Sequence, residues 1–127
     1  MRKDRKRAEG GFTVLEVLVA TVLLSIGLIA SFQLLSVAIS QSALARQASD
    51  ASTLAAQTVE AYRDKNFASI VPGTYTSTTT VGPTSYTITT TVTTSDPQPN
   101  MTRVHVVVSW AGGTQSYVTE TILAPFG

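Results

Sequence analysis

Between Val17 and Ala45 the chain carries no charged residue, and apolar side chains fill most positions. A helix through this stretch exceeds the ~20 residues that a bilayer core requires. From about Gln41 the uniform apolar character becomes periodic. Leu44, Ala48, Ala51, Leu54, Ala55, Val59 and Tyr62 recur at intervals of three and four, the stripe of an amphipathic helix. Asp50, Gln57, Glu60 and Asp64 fall largely off that stripe. No proline interrupts the segment and Gly27 is its only glycine, so one helix is predicted from Phe12 to about Asn66. Arg46 with Asp50 and Glu60 with Arg63 have the spacing of helix ion pairs. Pro72-Gly73 suits the exit turn.

Beyond Thr74 the period changes to two. Threonine, tyrosine and valine dominate, and four strands are predicted near 74–81, 85–94, 102–110 and 115–123. Gly82-Pro83, the segment from Asp96 to Asn100, and Gly112-Gly113 supply the turns. Val104, Val106, Val108 and Trp110 alternate onto one face of the third strand, and Tyr86, Ile88 and Val92 onto one face of the second. These faces can bury the helix stripe. The fourth strand is ambiguous, because Glu120 shares its face with Val118 and Ile122. The expected fold class is α+β, one long N-terminal helix packed on a small antiparallel sheet of about four strands.

Charge is unevenly placed. Met1–Gly11 carries Arg2, Lys3, Arg5, Lys6 and Arg7 against Asp4 and Glu9, whereas the remainder holds four basic and six acidic side chains. The part after Gly11 therefore has no basic surface of the kind that binds nucleic acid, and no nucleic-acid contact is expected. Without cysteine there is no disulfide and no thiolate metal site. His105 stands alone and is expected in water on the face opposite Val104 and Val106, so no metal or other cofactor is expected. No nucleophile elbow, triad or phosphate loop is present, which speaks against an enzyme. Twelve threonines between residues 74 and 95 raise O-glycosylation, but strand propensity on a solvated face explains them more simply. Trp110, alternating with valines, is expected in the core.

The informative chemistry is at the N-terminus. The small residues Gly10 and Gly11 precede the apolar run, the reverse of a secretory signal peptide, so a cut there leaves the helix on the product. An uncleaved signal anchor explains the basic flank and the apolar run but gives no reason for Glu16, a carboxylate near the start of the span. A cut after Gly11 creates an α-amino cation at Phe12. One turn on, Glu16 is its natural counter-charge, within one chain or between neighbours, where the pairing would set the axial register of otherwise slippery helices.

The sequence Gly10-Gly11-Phe12-Thr13-Val14-Leu15-Glu16 with its basic leader and apolar run resembles the type IV prepilin family. The resemblance is strong over residues 10–40 and implies cleavage by a membrane-bound prepilin peptidase between Gly11 and Phe12, N-methylation of Phe12, and an assembly role for Glu16. Within the family, the stretches Glu16–Ala20 and Leu24–Leu28 look like PilV-type minor pilins and GspI-type pseudopilins. Two departures stand out: Gln33 occupies a place where major pilins often carry proline, and a C-terminal disulfide loop is impossible. The implied organisation is a cleaved leader (1–11), a transmembrane and filament-core helix (12–40), its amphipathic continuation (41–68) and an outer β-domain (74–127). The implied location is the inner membrane, single-pass, with the N-terminus cytoplasmic, and later a filament at the cell surface or in the periplasm. Expected partners are the peptidase, other pilin or pseudopilin subunits through their N-terminal helices, an inner-membrane assembly platform and the lipid bilayer. The leading expectation is a minor pilin serving adhesion, motility or DNA uptake. A type II secretion pseudopilin is the alternative within the class, and a membrane-anchored extracytoplasmic binding domain the alternative outside it.

Overall fold

The computed structural model describes residues 10–125. Residues 1–9, which hold the basic part of the expected leader, and the last two residues of the expected β-domain lie outside them. One helix, α1 (Val14–Arg63), is followed by a 3-10 turn (Phe67–Ser69) and four strands. The strands are β1 (Gly73–Val81), β2 (Thr84–Thr94), β3 (Thr102–Trp110) and β4 (Gln115–Leu123). They form one antiparallel meander in the order β1-β2-β3-β4. The chain divides into two units, one ending at Gln41 and the other beginning at Ser42.

In the second unit the helix residues Ala51, Ala55 and Val59, together with Ile70, bury against Tyr86, Val92, Val104, Val106, Val108 and Trp110. Leu54, Tyr62, Phe67, Ile88 and Leu123 pack around this cluster. Small alanines at the contact let helix and sheet approach closely, while β3, covered on both edges, supplies the largest share of the core. Among the described residues every buried side-chain polar atom has a hydrogen-bond partner, as a stable interior requires.

The helix is shorter at both ends than predicted. Thr13 stays outside because its side chain accepts from the Glu16 amide (3.2 Å). At the other end Asn66 caps the 3-10 turn instead, its Oδ1 accepting from the Ala68 amide (3.1 Å). Asparagine favours such a cap over a helix interior.

Leu44 and Ala48, the first two members of the expected stripe, remain exposed, while Gln47 and Asp50 are half-buried. The reason is polar matching. Trp110 Nε1–H donates to Gln47 Oε1 (3.2 Å), Gln47 Nε2–H donates to Thr84 Oγ1 (3.3 Å), and the Tyr86 hydroxyl donates to the Gln47 carbonyl (3.3 Å). Asp50 lies near the same tyrosine hydroxyl, and the expected Arg46–Asp50 pair is absent among the described residues. Glu60 and Arg63 do pair, at 2.8 Å.

The register resolves β4. Trp110 opposes Gln115 and Thr102 opposes Leu123, so Tyr117, Thr119, Thr121 and Leu123 share the helix-facing side. Val118, Glu120 and Ile122 lie on the outer side. There Arg103 binds Asp96 through two hydrogen bonds (2.8 and 3.2 Å) and also contacts Glu120. His105 is on this face as expected, but half-buried between Thr91 and Glu120 rather than free in water. The outer face of β1 and β2 is a threonine ladder in which Thr74 opposes Thr91, Thr76 opposes Thr89 and Thr78 opposes Thr87. Gly82, at φ +58°, supplies the first residue of the two-residue β1–β2 loop, which requires positive φ.

Candidate functional site

Gly10 and Gly11 precede the helix, and a Cβ built on either meets nothing within 4 Å. This glycine pair is therefore exposed and uncrowded among the described residues. Phe12 follows, 83% exposed. Thr13 then starts the helix: besides its side-chain cap, its carbonyl accepts from the Val17 amide at 3.1 Å. Thr13-Val14-Leu15-Glu16 has the spacing of a capping box, a signal present in the sequence that the prepilin-like motif overshadowed. Threonine at the cap fixes where the helix begins, and so fixes Glu16 in its first turn. A carboxylate there is favoured by the positive end of the helix dipole.

Phe12 and Glu16 come together. With Val17, Ala20, Thr21 and Leu24 they line a shallow groove of about 380 Å³ along one side of the first two turns. Among the described residues no hydrogen bond or ion pair engages the Glu16 carboxylate. The carboxylate is thus unpartnered, one helical turn from Phe12, in a groove whose other lining residues are mostly apolar.

Above the groove the helix remains apolar and bare. Leu23, Leu24, Ile26, Ile29, Phe32 and Leu34 are each more than half exposed, and the most apolar window of α1 is uncovered along its whole length. The helix is long and apolar enough to cross a membrane. Its hydroxyls do not contradict that. Thr21, Ser25, Ser31 and Ser40 each donate to a carbonyl one turn back, at 2.8 to 3.0 Å, which satisfies them without water.

Sequence reasoning missed Gln47. No local pattern announced the tryptophan, tyrosine and threonine that receive it from distant strands. No group of three or more metal-ligating side chains occurs among the described residues. Comparison with curated proteins gave no match, and comparison with solved structures gave none. Residues 6–32 match the prokaryotic N-terminal methylation motif, and the chain thus carries the N-terminal signature of type IV prepilins.

Proposed function

We propose that this chain is a structural subunit of a type IV pilus-like filament, processed between Gly11 and Phe12, and that it acts as a minor pilin in filament priming or modification. The observation that carries this reading is the pairing of a bare apolar helix with one unspent carboxylate at its first turn. Apolar helices alone slide past one another, whereas a helix that also offers one anion and, after processing, one cation has a defined register with its neighbours.

The steps follow from the chain's own groups. The leader's cations hold the N-terminus on the cytoplasmic side, with residues 12–40 in the bilayer and the sheet outside. Hydrolysis of the Gly11–Phe12 peptide frees the Phe12 amine, which is then N-methylated and remains cationic. That amine meets Glu16 of an adjacent subunit. Transfer from lipid to filament exchanges acyl-chain contacts for helix–helix contacts, with little net hydrophobic gain, so the charge pair decides which contacts form.

Mass spectrometry of sheared surface filaments and of membranes tests this. A methylated Phe12 N-terminus at low abundance in filaments is the expected result. The same peptide confined to membranes would assign the chain to a secretion pseudopilus instead. An intact Met1 leader in both fractions would end the filament reading and restore the membrane-anchored binding domain.

A further inference from the structure

Gln33 is the amide embedded deepest in the apolar run, and every uncharged 20-residue window between Val17 and Ala45 contains it. Whichever segment occupies the hydrocarbon, this side chain lies within it. The hydroxyls of Ser25, Ser31 and Ser40 are satisfied by their own helix, as described above, whereas that of Ser36, one turn from Gln33, has no hydrogen bond among the described residues. Among the described residues, the Gln33 amide has no such partner. A primary amide both donates and accepts, and in hydrocarbon it gains most from a second amide at the same depth.

The surrounding pattern presents it as a seam residue. Ile26, Ile29, Gln33, Ser36, Ser40 and Ala43 follow alternating steps of three and four, the repeat that keeps one face turned toward a partner helix. A single polar residue in such a seam selects register and oligomeric state.

We propose that Gln33 joins two copies of this chain as a parallel, in-register dimer in the membrane before filament assembly. A second copy is the occupant the chemistry favours, because chains inserted with the same topology carry Gln33 at the same depth and the amide pair is self-complementary. The dimer has zero axial offset. Pairing of Glu16 with a neighbour's Phe12 amine instead requires a shift of about one turn, close to 6 Å, so the two contacts exclude each other. Gln33 holds subunits in a stored pair that assembly must break. This inference rests on reading residues 12–40 as a membrane span.

The natural absence of cysteine permits a direct test on the full chain in membranes. Single variants Ile29→Cys and Ser36→Cys, on the seam, are expected to form disulfide dimers, and Leu35→Cys, on the far side, is not. Adding Gln33→Leu should reduce the seam dimers roughly three- to twentyfold, the range for membrane-buried polar contacts, and Gln33→Asn should retain part of them. Seam cross-linking that ignores Gln33→Leu, equal cross-linking at all three sites, or cross-linking only to a different protein would overturn the proposal. Alkaline carbonate extraction separates the premise from the inference. Retention of every variant in membranes upholds the span, whereas release of the parent chain removes the span and the dimer together.

Discussion

Glu16 carries the one formal charge between Phe12 and Ala45, and its replacement isolates the assembly step. Glu16→Ala should still insert and still be cleaved, because neither the apolar run nor the glycine pair changes, but should enter filaments poorly. Immunoblots of sheared filaments against whole membranes measure the ratio, and unchanged filament recovery would refute the register role. Gln47 acts in the folded sheet-bearing unit instead. Gln47→Ala leaves the Trp110 indole N–H and the Thr84 hydroxyl without their partner and should cost about 1–3 kcal/mol, read as a lower unfolding midpoint by fluorescence of the single tryptophan. Tyr86 adds a pH dependence. Burial above all, with the nearby Asp50 charge second, raises its hydroxyl above the usual 10.0, and burial raises Tyr62 as well. The folded state therefore holds these protons more tightly than the unfolded one. Their contribution is intact below pH 10.0 and is lost as pH rises through the raised values. Tyr86→Phe should flatten that alkaline decline in an unfolding series across this range.

Ala51 and Ala55, both fully buried, set how closely α1 meets the sheet. Ala55→Leu adds volume where none is free and should destabilise the fold by about 1–3 kcal/mol, whereas the same change at the exposed Ala56 should leave the midpoint nearly unchanged. The elements themselves were legible in the sequence because their signals are local. Alternation in Val104–Trp110 and the Gly82-Pro83 and Gly112-Gly113 turns placed all four strands within a residue of their observed bounds. What stayed hidden depends on register between distant segments. The side of Glu120, the half-burial of His105 and the polar seat of Gln47 are set by which residues of β3 oppose those of β2 and β4. The proximity of Phe12 and Glu16 was legible for the opposite reason, since both residues lie within one helical turn. The Thr13 cap was equally local.

At the scale of the whole chain, the buried core of the described residues lies in the unit beginning at Ser42, while the apolar side chains of the first unit are exposed. A fragment of residues 42–127 should accordingly fold alone and remain soluble, with a cooperative thermal transition and a near-ultraviolet signal from Trp110. Failure to show either would mean that the apolar half contributes to folding as well as to assembly.

The meander has a further consequence, for the order in which the chain becomes structured. Each strand pairs only with its neighbour in sequence, so no contact in the sheet waits for a distant segment, and the entropic cost of loop closure stays small. On the proposed topology the chain crosses the membrane from α1 toward β4, and each strand after β1 emerges beside a partner already outside. Pairing can thus keep pace with translocation. The decisive moment is the arrival of β3, whose valines and Trp110 complete the core, and β4 then closes the open edge of an already stable sheet.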